Sequence, residues 1–120
     1  MMMTSGDAMS EQAMLAHREQ LARRAMLDAL ENQQAEDSVE LFIQHHLEEV
    51  ESVYWQKHFG TATPTPLQVL AFLVLDHQWK DEGLEPHDML DFTLPDGITN
   101  YVICVSFDSK GQVIDIAMES

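Results

Sequence analysis

Thr65-Pro66-Leu67-Gln68-Val69-Leu70-Ala71-Phe72-Leu73-Val74-Leu75-Asp76-His77-Gln78-Trp79-Lys80 is the stretch on which the fold turns. Its opening carries three agreeing helix-start signals: Thr65 as N-cap, Pro66 at the first helical position and Gln68 at the third. Behind them, Val69 to Leu75 is an unbroken run of seven apolar residues. A run of that length suits a buried strand as well as a helix. The start signals favour a helix. We expect it over residues 66–80, apolar almost all round, as the central core element.

C-terminal to this stretch, beyond Gly83 and Pro86, the texture changes to period two. In Met89-Leu90-Asp91-Phe92-Thr93-Leu94 the even positions are apolar, as in a half-buried strand. Pro95-Asp96-Gly97 is a turn signal. Tyr101 to Phe107 is dense in β-branched and aromatic residues and reads as a central strand. Asp108-Ser109-Lys110-Gly111 suits a type I turn with a left-handed glycine. The last strand is expected to set Ile114, Ile116 and Met118 on one face and Asp115 and Glu119 on the other. Three strands joined by short turns make an antiparallel meander.

N-terminal to it, Val39, Ile43, Leu47, Val50 and Tyr54 fall on one face of a helix over about residues 38–57. Asp37 with Glu40 offers a capping-box-like start, with Ser38 as the competing cap, and Gly60 a stop. Leu41 and Trp55 lie off that stripe, joined by Phe59 if the helix reaches it, and are read as a contact with another element of the same domain, the alternative being a partner surface. Ser10 to Gln34 is built from good helix formers, with Ser10 as N-cap and a thin stripe of Leu15, Ala22, Met26, Ala29 and Leu30. The expected architecture is α+β and two-layered: three N-terminal helices, then a three-stranded meander. Residues 1–9 are expected to be disordered, residues 10–35 to form a helix whose docking is open, and residues 36–120 to form the domain.

The 120 residues carry 21 acids against 6 Lys and Arg, a formal net charge of −15. The imbalance is uneven. Residues 1–35 hold five acids and all three arginines (Arg18, Arg23, Arg24), whereas residues 36–120 hold sixteen acids and three lysines, a net of −13. Such a field repels phosphates and argues against nucleic acid and anionic membrane as partners. It permits a basic protein. A single cysteine, Cys104, forms no internal disulfide and suits a reducing compartment. With no signal-peptide pattern at Met1–Asp7, and no apolar run near the roughly 20 residues that span a bilayer, a cytoplasmic protein is expected.

The familiar catalytic signatures are missing: no Gly-x-Ser-x-Gly, no His-Glu-x-x-His, no phosphate-binding glycine loop and no Cys-x-x-Cys. No catalytic residue, cofactor or metal ligand is assigned. Six histidines are the chemically suggestive feature. His45 with Glu49, and His77 with Asp81, stand at the i,i+4 spacing that holds a divalent ion on one helix face, although a solvated ion pair explains them as well. His46 and His77 are read as core-edge groups which, if helices 2 and 3 pack together, form a pH-sensitive contact. The acid runs Glu48, Glu49, Glu51 and Asp81, Glu82, Glu85 form the candidate acidic interface, the alternative being a solvated face.

Tyr54-Trp55-Gln56-Lys57-His58-Phe59-Gly60, Thr63-Pro64-Thr65-Pro66, Leu90-Asp91-Phe92-Thr93-Leu94-Pro95, Thr99-Asn100-Tyr101-Val102, Val105-Ser106-Phe107-Asp108 and Met118-Glu119-Ser120 resemble a family of small bacterial proteins, domain of unknown function two-thousand-and-four. The resemblance spans about residues 38–120. It implies a bacterial, cytoplasmic protein and carries over no functional residue. Three functions compete: a non-enzymatic module that caps a basic partner in the manner of an immunity protein or inhibitor, a metal-assisted hydrolase using His45, Glu49, His77 and Asp81, and a scaffold that self-associates through its first helix. The concentration of charge favours the first.

Overall fold

A computed structural model of the chain describes residues 11–81, 83 and 87–120, the side chain of Asp81 excepted. The expectations for residues 1–9 and for the Ser10 cap lie outside the described residues, as do Glu82 and Glu85. Among the described residues four helices precede four strands: α1 (Glu11–Glu31), α2 (Val39–Glu49), α3 (Ser52–Phe59), α4 (Pro66–Phe72), β1 (Val74–Asp81), β2 (His87–Thr93), β3 (Val102–Phe107) and β4 (Val113–Glu119). The strands form one antiparallel sheet in the order β1-β2-β3-β4. The helices pack on one face of it, so the α+β class stands while the expected three helices and three strands become four of each.

The decisive stretch begins as expected and ends differently. Thr65 Oγ1 accepts from the Gln68 amide at 3.2 Å and Gln68 Oε1 from the Thr65 amide at 2.8 Å, a complete capping box. The helix stops after Phe72, where Leu73 turns extended at φ −61°, ψ 143°, and Val74 to Asp81 pairs with β2. A helix apolar all round must be enclosed on every side, and one small core cannot enclose it. Splitting the run solves this. Val69, Leu70 and Leu73 enter the core, Leu75 packs on it, and Val74 turns outward.

The expected helix over residues 38–57 is likewise broken. Val50 (φ −85°, ψ 136°) and Glu51 (φ −63°, ψ 147°) are extended, and α3 starts afresh. The break reorients the chain so that Tyr54 and Trp55, a quarter-turn apart on one helix, both reach the core. Trp55 is therefore an in-domain contact, whereas Leu41 remains exposed. Neither proposed cap bonds through its side chain. Ser38 holds the N-cap position without such a bond, and the Glu40 amide donates to Ala35 O at 2.9 Å. Gly60 ends α3 in the left-handed conformation (φ 72°).

α1 lies on the same core. Ala22 and Met26 are fully buried, and Leu15, Ala29 and Leu30 pack around them. Two of its three arginines bind inward. Arg18 pairs with Asp88 of β2 at 2.6 Å. Arg23 donates to Leu73 O at 2.9 Å and stands over the Phe92 ring at 5.1 Å. Each edge strand departs from strict alternation once. A register shift lies between Leu75 and His77, and another between Ser106 and Phe107 in the pairing of β3 with β4. The second corrects the expected face of β4: Val113, Ile116 and Met118 pack on the core, and Ile114 is exposed.

Candidate functional site

Strand alternation divides the sheet's side chains between two environments. Leu90, Phe92, Ile103, Val105 and Phe107 point into the helix layer. Their neighbours Met89, Asp91, Cys104 and Ser106, with Asp115, Ala117 and Glu119 of β4, point the other way, and no described helix covers them. Register completes two cross-strand rows. His77, Asp91, Cys104 and Ala117 make one; Trp79, Met89, Ser106 and Asp115 make the next. Cys104 and Ser106 are almost inaccessible, sunk among the larger Asp91 and Met89 beside them.

Trp79 links the rows. Its indole Nε1 donates to Asp91 Oδ2 at 3.1 Å, while the residue remains 37% exposed. Asp91 Oδ1 is buried without an ordinary hydrogen-bond partner. Burial, and then the Asp91 carboxylate beside it, push the Cys104 thiol up to about 12. The thiol is therefore protonated near neutral pH and shielded from solvent, the reverse of what a nucleophilic cysteine requires. Among the described residues this face carries Asp91, Asp115 and Glu119, the histidines His77 and His87, and no lysine or arginine.

The candidate acidic interface is divided by the fold. Glu48, Glu49 and Glu51 are exposed where α2 meets α3. Glu49 and Glu51 rim a notch of about 380 Å³ that Val53, Tyr54, Lys57 and Ile98 help to line. This notch adjoins the β2–β3 connection. The Asp81 backbone pairs with His87 at the opposite end of the β1–β2 hairpin, on the order of 20 Å away by strand rise. The two acid runs do not form one patch.

The histidines separate too. His46 is buried in α2. Its Nδ1 lies 2.7 Å from Phe42 O and its Nε2 2.9 Å from Thr99 Oγ1. A carbonyl only accepts, so Nδ1 carries a proton, and in the neutral ring the Thr99 hydroxyl donates to Nε2. Thr99 Oγ1 in turn accepts from the Tyr101 amide at 3.2 Å. Burial lowers the His46 pKa below its ordinary 6.5, the Phe42 carbonyl opposes that, and His45 lowers it further. His77 is not a core-edge residue and does not approach His46. It is exposed on β1, on the side of the sheet away from the helices. The reason is the strand that replaced the expected helix.

The same replacement undoes the proposed His77–Asp81 metal pair. The i,i+4 spacing stacks residues on a helix, but along a strand it sets their backbones roughly 13 Å apart. His45 is engaged with the rings of Tyr101 and His46, at 5.1 and 5.0 Å between centroids. No group of three or more His, Cys, Asp or Glu among the described residues is arranged to hold a metal ion, and no helix among them is long and apolar enough to cross a membrane.

Sequence reasoning missed the Trp79–Asp91 contact because it placed Trp79 on a helix. A usable signal was present: Gly83 and Pro86 stand between two stretches of similar length that a hairpin would pair. It also missed the bond from His58 Nε2 to Asp96 Oδ2 at 2.8 Å and that from Tyr54 OH to Pro95 O at 2.9 Å. These tie α3 to the turn at Pro95–Gly97. No family model, curated protein or solved structure matches the chain.

Proposed function

We propose that this chain is a non-enzymatic binding module for a basic protein, acting in the bacterial cytoplasm as an inhibitor or immunity-type cap. The observation that carries the reading is where the cations go. Arg18, Arg23, Arg24 and Lys57 each stand within 4 Å of a carboxylate of the same chain, at 2.6, 2.8, 3.9 and 3.8 Å. Four of the six Lys and Arg are thus engaged locally, and the remaining carboxylates set the outward field. A one-signed field accelerates encounter with an oppositely charged partner by 10-fold or more, and salt screens it beyond about 8 Å at physiological strength.

The family resemblance over residues 38–120 fits a small bacterial protein and adds no residue to the argument. The hydrolase reading has less support, because its two pairs stand on different elements, His45 and Glu49 on α2 and His77 and Asp81 on β1. The test is retention of small proteins of graded net charge on the immobilised chain, at low and at near-physiological salt. Basic proteins are expected to bind at low salt and to weaken steeply as salt rises. Equal retention of basic and acidic proteins, or retention indifferent to salt, would overturn the reading.

A further inference from the structure

If the chain binds a basic protein, the sheet face turned away from the helices has the chemistry to meet it. That face carries Asp91 on β2 and Asp115 and Glu119 on β4, with the histidines His77 and His87 also on it, and no described lysine or arginine offsets the acids. Cys104 and Ser106 in its middle are almost inaccessible, so a partner meets the acidic side chains and the indole around them. Trp79 stands at one side, fixed by its bond to Asp91 Oδ2 at 3.1 Å and 37% exposed. A second copy of this chain is a poor occupant. A two-fold contact would set this acidic face against its own copy, and like charges across an interface cost several kcal/mol.

We infer that this face docks an arginine-bearing segment of the basic partner, with one guanidinium stacked on Trp79 and drawn by Asp91. The inference rests on the binding-module reading and deepens it. Arginine is preferred to lysine because a planar guanidinium stacks on an indole while it faces a carboxylate, and an ammonium is held more tightly by water. The Glu49–Glu51 notch is the competing surface. Its acids share their surroundings with Lys57, and so its charge is mixed.

The experiment titrates the full chain at low salt with hexa-arginine, hexa-lysine and hexa-glutamate peptides, following tryptophan emission and, separately, heat. Trp55 is sealed in the core, so a change in emission reports Trp79. Hexa-arginine is expected to bind with a saturating emission change, about three-fold tighter than hexa-lysine, and hexa-glutamate to give none. Asp91→Asn is expected to weaken hexa-arginine several-fold. Because Asp91 has a buried oxygen, the exposed pair Asp115→Asn with Glu119→Gln serves as a second variant and is expected to weaken binding similarly. The variant Glu49→Gln with Glu51→Gln should leave it unchanged. Heat of binding without an emission change, or weakening by the notch variant alone, moves the docking surface elsewhere and leaves the binding-module reading intact. Equal affinity for the arginine and lysine peptides removes the stacked guanidinium. No heat with either basic peptide overturns both.

Discussion

His46 shows how one side chain can join a helix to a loop across the core. Its two ring nitrogens are both used, one on α2 and the other on Thr99, and burial favours the neutral ring. Because its pKa is lowered in the folded chain, the unfolded chain takes up a proton first as pH falls. The stability that depends on the neutral ring is thus complete above the unfolded value of about 6.5 and is lost as pH falls through and below it. We predict that the urea midpoint drops between about pH 7.5 and 5.5. His46→Gln should lower the midpoint at pH 7.5, costing about 1–3 kcal/mol for buried groups left unpaired, and should flatten the slope. His77→Gln should keep the slope of the parent. A His46→Gln slope as steep as the parent's would assign the pH dependence to other groups. Sequence periodicity found His46 among apolar neighbours, yet it held nothing about Thr99. That partner is 53 residues away, and only tertiary structure brings it near.

The elements that could be read from sequence were those whose ends are marked locally. Thr65 and Gln68 mark the start of α4 with their own side chains. Asp108 does the same for the β3–β4 turn, where its Oδ1 accepts from the Lys110 and Gln112 amides at 2.8 and 3.0 Å and Gly111 takes φ 80°. The element ends that could not be read have no such mark. α4 stops at Leu73 because the chain beyond it finds backbone partners on β2, and strand pairing at a distance overrides helix propensity. Ile114 faces solvent because of a register shift, which a one-residue change in pairing is enough to produce. The locally marked end gives a direct test. Thr65→Ala removes one half of the capping box and is expected to cost about 1 kcal/mol, read as a lower melting temperature with the circular dichroism of the native state kept. An unchanged melting temperature would mean that packing by Val69 and Leu70, and not the cap, holds α4 in place.

At the scale of the molecule, α1 is part of the core and not an appended arm. Met26 is inaccessible and contacts the same cluster as Phe42 and Trp55. Met26→Ala is expected to cost about 2–5 kcal/mol by leaving a cavity, measured by urea denaturation. Removal of residues 1–35 should expose the apolar faces of α2 and α4, with increased binding of a hydrophobic dye and loss of a single cooperative transition. A truncated chain that unfolds cooperatively with the parent's midpoint would make α1 dispensable. The sheet needs no long crossover, since every strand pairs with its neighbour in sequence. The α1–β4 packing differs: it joins segments on the order of ninety residues apart in the chain. At roughly 5–20 residues per second of synthesis, α1 can meet α2 and α4 early but waits about 5–20 s for β4, with the part of its apolar stripe that β4 covers unmatched. During that interval the nascent helix is open to proteases and to chaperones, and its thin, alanine-rich stripe offers both less to hold than a leucine-rich one would.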